Sequence, residues 1–286
     1  MEQIGLLHDG QIYDLQTAEA LNIKGDIIKA DDSKESLEIL RHSCAHMMAQ
    51  AIKELYPEAK FFVGPVVKEG FYYDFKVESK ISDEDLPTIE KKMKEIADRK
   101  LPITRHETTK EEFYEKFKND ELKQAVLKNI KDDTLTIYKQ GDFEDLCRGP
   151  HLPNTRMIRS FKLTRVAGAY LGGDEKNEMI TRIYGIAFFD KQALFDYTKM
   201  IEEAKKRDHR KLGTELELFT FNDDVGAGLP MWLPNGARLR SKLEHLLYKA
   251  HRVRGYEPVR GPEILKSEMW KISGHYANYK ENMYFT

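Results

Sequence analysis

Two short stretches hold most of the chain's reactive side chains: Arg41-His42-Ser43-Cys44-Ala45-His46 and, about a hundred residues later, Cys147-Arg148-Gly149-Pro150-His151. Each sets two nitrogen or sulfur donors four positions apart. Together His42, His46, Cys147 and His151 give three imidazoles and a thiol, a set able to bind a metal or to move protons. The whole sequence contains nine His and two Cys, so two matched pairs are hard to attribute to scatter. On a helix, His42 and His46 at i and i+4 project from one face within reach of a shared atom. Cys44 points about 200° away around the same helix and is expected in the core. A helical His pair with two further donors from a loop resembles a zinc geometry, either closed or with one exchangeable position. The bland alternative has the imidazoles hydrogen-bonded inside a core and Cys147 packed as a small apolar residue. It explains either pair alone better than both together, and the chemistry favoured is hydrolytic.

Other residues near these pairs carry weaker signals. Asp145, two positions before Cys147, could orient a histidine or bind a hydroxyl, although a loop carboxylate is more often simply solvated. Lys123, in Glu-Leu-Lys-Gln, reads by default as a surface lysine. Arg148-Gly-Pro combines a cation with backbone constraint, which suits a phosphate or a ribose. The run Lys205–Lys211 fits a solvated helix end before it fits an RNA contact. Val166-Ala-Gly-Ala-Tyr-Leu-Gly-Gly173 is small and flexible enough to approach a ligand, without a phosphate-loop pattern.

The elements that must position these groups can be sketched from periodicity. Residues 1–31 contain a strand-like pair, Gln3–Leu7 and Gln11–Leu15, then a few helical positions, too little for a stable domain alone. Asp32 with Glu35 can form a capping box for a helix that runs to Leu55 and stops before Tyr56-Pro57. Phe61–Val67 and Phe71–Phe75 read as apolar strands around Lys-Glu-Gly. Leu86, Ile89, Met93 and Ile96 recur at helical spacing between Ser82 and Arg99. A strand at Ile103–Thr108, helices at Glu111–Phe117 and Glu121–Ile130, and strands at Thr134–Lys139 and Phe143–Leu146 lead into the second donor pair. Arg182–Phe189 is a further strand. Asp190 is the expected N-cap of a long helix reaching Lys211, and the domain boundary is placed on it. A Gly/Pro-rich stretch, Gly226–Gly236, precedes an amphipathic helix to about Arg254.

Composition excludes several classes. With 41% hydrophobic and 33% charged residues, 286 positions suffice for two domains and a sizeable core. No apolar run approaches the roughly 18–20 residues that span a bilayer, and the N-terminal residues lack the pattern of an export signal. Two cysteines suggest reduced thiols in a cytoplasm, not a disulfide scaffold. A net charge of −2 neither advertises nor excludes nucleic acid.

Several motifs resemble the bacterial threonyl-tRNA synthetase family in kind and order. They are Arg41–His46, Gly64-Pro65, Gly70-Phe-Tyr-Tyr-Asp74, Asp145–His151, Ala167-Gly-Ala-Tyr170, Arg182-Ile-Tyr-Gly185 and Ala204–Gly213. Gly255–Pro262 looks like motif 1 of the class II synthetases, and Ser273–Lys280 like the segment after it. The resemblance implies an α+β chain. Residues 1–32 form a short segment, incomplete for the family's ubiquitin-like domain. A two-layer α/β editing domain of the threonyl/alanyl type follows over 33–189, with a linker helix over 190–212. The start of a class II antiparallel-sheet catalytic domain occupies 213–286. It implies hydrolytic editing of mischarged Ser-tRNA(Thr), because one missing methyl yields only about 10- to 200-fold discrimination at a threonine site.

By resemblance, His42 and Lys123 position and activate water. His46, Cys147 and His151 complete the pocket, and Asp145 and Tyr138 contact the seryl group or the terminal adenosine. Spacing and family then diverge. Four donors suggest zinc, as in the related alanyl editing domains, whereas the threonyl family looks able to use the same residues without a metal. Metal-free hydrolysis is the expectation, with zinc occupancy open and Cys147 not a nucleophile. The family's ATP-binding motifs 2 and 3 and catalytic zinc ligands would lie beyond Thr286. ATP and that zinc, with Thr-tRNA formation, are therefore expected only of a complete protein. Expected partners are tRNA(Thr), its seryl form and a second subunit through the motif 1 region, with no membrane and no DNA. The alternatives are a freestanding zinc-dependent aminoacyl-tRNA deacylase and a non-catalytic tRNA-binding or dimerisation module. The synthetase-like tail argues against the first, and the intact His/Cys set against the second.

Overall fold

A computed structural model describes residues 2–128 and 130–284. Two compact units meet within one helix, Met1–Glu202 and Glu203–Thr286. The first begins with β1 (Gln3–His8), β2 (Gln11–Asp14), α1 (Leu15–Ala20) and β3 (Asp26–Lys29). The long α2 (Lys34–Leu55) follows, then β4 (Lys60–Phe61), β5 (Val66–Val67) and β6 (Gly70–Lys76). Next come α3 (Leu86–Arg99), β7 (Ile103–Thr109), α4 (Lys110–Lys116), α5 (Glu121–Lys128), β8 (Thr134–Gln140) and β9 (Phe143–Leu146). The unit closes with β10 (Ser160–Tyr170), β11 (Met179–Phe188) and most of α6 (Lys191–Lys206). Its sheets are antiparallel throughout: β2-β1-β3, β10-β11-β6-β4 with β5 also on β6, and β7-β8-β9.

The helix α2 is the axis of this unit. A surface helix carries one apolar stripe, but a helix apolar almost all round must be enclosed, and α2 is buried on every side from Ile39 to Ile52 apart from His42. It packs on α3, β6, β11 and β1. Ile39, Leu40, Cys44, Met47, Met48 and Ile52 join Phe71, Tyr73 and Phe75 of β6 and Ile89, Met93 and Ile96 of α3 in one core. Burying each large side chain contributes roughly 1.5–3 kcal/mol, which is how two polar histidines can be carried into the interior. Period-two alternation on β6 sends Phe71, Tyr73 and Phe75 inward. Tyr72 and Asp74 stand on the opposite face, where Arg182 of β11 pairs with Asp74 through Nε and Nη2 (2.6 and 2.7 Å).

Several expectations need correction. Ser33 occupies the N-cap position of α2, and no side chain bonds there. Asp32 instead accepts the backbone N–H of Phe189 at 2.7 Å. Leu15 opens a helix rather than ending a strand, and the N-terminal segment has a third strand, β3. That segment does not stand alone, because Ile4 and Ile28 belong to the main core. The apolar stretch after Phe61 breaks at Phe62–Pro65 into two short strands. Residues 166–170, read as small and flexible enough to approach a ligand, complete the eleven-residue β10. The long helix stops at Lys206 and not at Lys211: Asp208 accepts the N–H of Arg210 and caps a new helix, α7 (His209–Glu215). The helix expected to reach Ile130 is α5, with Asn129 outside the described residues.

The second unit contains α7, the two-stranded pair β12 (Phe219–Thr220) and β13 (Met231–Trp232), then α8 (Pro234–Arg252), α9 (Ser267–Ile272) and α10 (His275–Tyr279). Gly236, in the first turn of α8, lies against the Leu218 carbonyl, where a Cβ would sit 1.8 Å from the oxygen. Leu243, Leu246, Val259, Ile264 and Ile272 are exposed. Among the described residues, no helix is long and apolar enough to cross a membrane.

Candidate functional site

The two donor pairs meet. α2 presents His42 and His46 from one face, their rings edge-on with centroids 5.3 Å apart. The stretch after β9 brings Cys147 and His151 over them. Cys147 extends the β8–β9 ladder by one residue, its N–H donating to the Thr136 carbonyl and its carbonyl accepting the Thr136 hydroxyl (3.1 and 2.6 Å). Its Sγ lies 3.2 Å from Nε2 of both His42 and His151. The His151 ring sits 4.4 Å from that of His42 and 4.3 Å from that of His46, centroid to centroid. One donor atom from each of the four residues falls within 4.8 Å of the others.

A second group adjoins the first. The Lys123 ammonium, on α5, contacts the Asp145 carboxylate on β9; both residues are buried. The Tyr73 hydroxyl donates to the other Asp145 oxygen, and the Leu146 N–H donates to the first (2.8 Å). Burial raises the Asp145 carboxyl well above its ordinary range, and the ammonium and two further donors on it pull the other way, towards the ionised form. Tyr73 and Phe143 also present their rings to His46, both at 6.2 Å. A cavity of about 460 Å³ opens on Lys123 and Asp145, walled by Phe61, Phe143, Gln50 and Arg99. That volume lies within the range of small-ligand pockets. A smaller hollow of about 320 Å³ reaches Cys147 from the side of Thr136 and Leu146.

Burial sets the protonation states. It lowers His42 to about 4, against the weaker pull of hydrogen bonds to the Pro150 and Gly149 carbonyls. His46 and His151 are held well below the ordinary imidazole range, first by burial and then by the neighbouring imidazoles. All three rings are therefore neutral near pH 7, each with a lone pair to offer. Burial also pushes the Cys147 thiol up, so without a metal it stays protonated and is a poor nucleophile. Lys123 is brought down to about 8 by burial.

The donor set fits zinc. Zn–N and Zn–S bonds of about 2.0–2.1 and 2.3 Å imply tetrahedral edges of roughly 3.3–3.6 Å, close to the two observed contacts of 3.2 Å. Among the described residues these four form the one such group of His, Cys, Asp and Glu.

Not every expected site residue arrives. Arg148 lies at the surface, its side chain 80% exposed and paired with Asp132 at 3.1 Å. Tyr138 packs its ring on His151 (4.4 Å), but its hydroxyl faces Asp14 and Thr17. Two residues not singled out in sequence are present: Tyr73 on Asp145, and Asp14 beneath Tyr138. Alternation along Gly70–Lys76 could have flagged Tyr73 as inward-facing. No local signal marks Asp14.

Residues 135–184, which span β8, β9, the Cys147–His151 stretch and most of β10 and β11, match the family described as the threonyl and alanyl tRNA synthetase second additional domain. A threonine–tRNA ligase of Campylobacter jejuni is 70% identical over 285 residues, covering all of this chain and 47% of the relative. The chain belongs to the threonyl-tRNA synthetase family. The ligases of Helicobacter hepaticus and Nautilia profundicola are each 67% identical, over 285 and 284 residues, with 47% and 46% of their lengths covered. The chain thus spans about half the length of these relatives.

Proposed function

We propose that the first unit is the proofreading half of a threonine–tRNA ligase and hydrolyses serine esterified to tRNA(Thr). The convergence of His42, His46, Cys147 and His151 beside the Lys123–Asp145 pair supports this reading. Neutral imidazoles, with a buried ammonium in the adjoining group that opens on a cavity, are the equipment of ester hydrolysis.

Neutral His42 takes a proton from water as the oxygen attacks the seryl carbonyl carbon. The Lys123 ammonium, held by Asp145, stabilises the developing oxyanion. Collapse breaks the bond to the ribose oxygen, which takes up the proton, and serine and tRNA(Thr) leave. His46 and His151 hold the pocket, and Cys147 is a hydrogen-bonding wall rather than a nucleophile. Zinc would be held by His42, His46, Cys147 and His151, and would supply Lewis-acid activation of water only with one of the four donors withdrawn to leave a position open.

The second unit, in this reading, begins the class II catalytic domain. Its exposed Tyr256 and Val259 fit a homodimer built through the 255–262 region, in the cytoplasm where thiols stay reduced. Thr-tRNA formation, with ATP and a separate catalytic zinc, belongs to the full-length protein. The test is hydrolysis of Ser-tRNA(Thr) against Thr-tRNA(Thr), with and without a chelator. Selective release of serine with chelator present supports the proposal; equal rates on both esters, or none on either, would sink it.

A further inference from the structure

Asp14 is a buried carboxylate, 2% exposed, on a segment whose small size gives no reason to bury a charge. It ends β2 and caps α1 through Oδ1, which accepts the Thr17 N–H at 2.7 Å. Capping a six-residue helix requires neither burial nor the second oxygen. Yet Oδ2 takes two further donors: the Tyr138 hydroxyl at 2.6 Å and the His151 backbone N–H at 2.9 Å. With the phenol proton on Asp14, the Thr17 hydroxyl closes on the phenol oxygen at 2.9 Å. Charge-assisted hydrogen bonds of this kind are about twice as strong as neutral ones.

The stretch 148–151 lies outside any strand and needs such anchors. Gly149 has φ 75°, and a Cβ there would lie 2.6 Å from the Tyr138 hydroxyl and 2.8 Å from Asp14 Oδ2. The Leu152 N–H is held by Ser43 Oγ at 2.8 Å, from the α2 side. Asp14 and Ser43 therefore clamp successive backbone N–H groups. The His42 ring in turn lies 3.2 Å from Cys147 Sγ through Nε2 and 4.4 Å from the His151 ring, centroid to centroid, so both ends of this stretch bear on a histidine of α2. The segment is secured further along by Gln16, whose amide donates to the Ile103 carbonyl and accepts the Arg105 N–H (2.6 and 2.7 Å).

We infer that Asp14 is a positioning residue: through Tyr138 and the His151 N–H it holds the Gly149–Pro150 stretch so that Cys147 and His151 close on His42 and His46. The inference rests on the proofreading reading for its catalytic consequence, but its structural half does not. Residues 1–31 are thereby a working part of the site and not an appendage.

The test compares Asp14→Asn, Tyr138→Phe and the double variant in the intact chain with two readouts. The first is alkylation by iodoacetamide, resolved by peptide mass for Cys147 and for Cys44, which is fully buried in α2 and reports general opening. Asp14→Asn keeps the shape and removes the charge, so Cys147 should react about tenfold faster while Cys44 stays unreactive. The second is Ser-tRNA(Thr) hydrolysis, where kcat should fall about tenfold with KM within about twofold. Tyr138→Phe should act in the same direction, and the double variant should be no worse than Asp14→Asn, because both act through one path. Wild-type alkylation and kcat in Asp14→Asn would overturn the inference, as would Cys44 opening in step with Cys147. If Asp14→Asn does not fold, Tyr138→Phe carries the alkylation comparison alone. If the wild-type chain hydrolyses no Ser-tRNA(Thr), the proofreading reading fails, while the Cys147-to-Cys44 ratio still decides the role of Asp14.

Discussion

Replacing Lys123 with Met separates the structural from the chemical work of the Lys123–Asp145 pair. The two residues are 4% and 2% exposed, and among the described residues no other cation bonds the Asp145 carboxylate, whose remaining donors are Tyr73 and the Leu146 N–H. Lys123→Met keeps most of the side-chain volume but leaves a buried carboxylate without its counter-charge, a change that costs about 3–5 kcal/mol. For a unit of this size, each kcal/mol moves Tm by about 2–4 °C, so the expected drop is roughly 6–20 °C. Adding Asp145→Asn removes the orphaned charge while an amide oxygen still accepts from Tyr73. The double variant should return to within about 2 kcal/mol of the parent. Its chemistry should not return. Ser-tRNA(Thr) hydrolysis should stay at least about 100-fold down in both variants, since the ammonium is missing from each. Thermal and urea unfolding give the first quantity, and release of labelled serine gives the second. A single variant as stable as the parent would show that the pair is not energetically coupled. A double variant that hydrolyses normally would remove Lys123 from the mechanism.

Three further outcomes follow from the same geometry. With Lys123 brought down to about 8 and needed as an ammonium, enzymic hydrolysis should decline as pH rises through about 8; a rate, corrected for spontaneous hydrolysis, that keeps rising from pH 7 to 9 would contradict its role. Gly149→Ala should cost at least about tenfold in kcat with the fold retained, because its Cβ meets Tyr138 and Asp14 in a backbone conformation that side chains resist; circular dichroism and the hydrolysis assay check it. Added Co²⁺ should bind at one equivalent with a thiolate-to-cobalt absorption band, and Cys147→Ser should lose that band yet keep hydrolysis within about tenfold, whereas trapping an acyl-thioester on Cys147 would reverse its assignment.

How much of this was legible beforehand depended on how local the governing physics was. The 3.6-residue period gave the placement of His42 and His46 on one face of α2, and of Cys44 in the core. The same period marked Leu86, Ile89, Met93 and Ile96 as the buried side of α3. The break in the long helix at Lys206 was missed because Asp208 caps as well as it continues. The strand β10 is not marked in sequence because its small residues, Ala167 to Ala169, carry no period-two apolar pattern; pairing with β11 makes it a strand. Lys123 looked like a surface lysine, since nothing within its own helix reveals a carboxylate 22 positions away.

The sequence by itself determined the donor set, its spacing, its helical half and its family, because those depend on residue types and short-range periodicity. Only the tertiary structure decided that the two donor pairs touch, that Lys123 belongs with Asp145, and that Arg148 stays at the surface. It alone placed Asp14 under the site, through contacts 124 and 137 residues apart in sequence. Such pairings are chosen by the packing of whole elements around α2, and no local pattern encodes them.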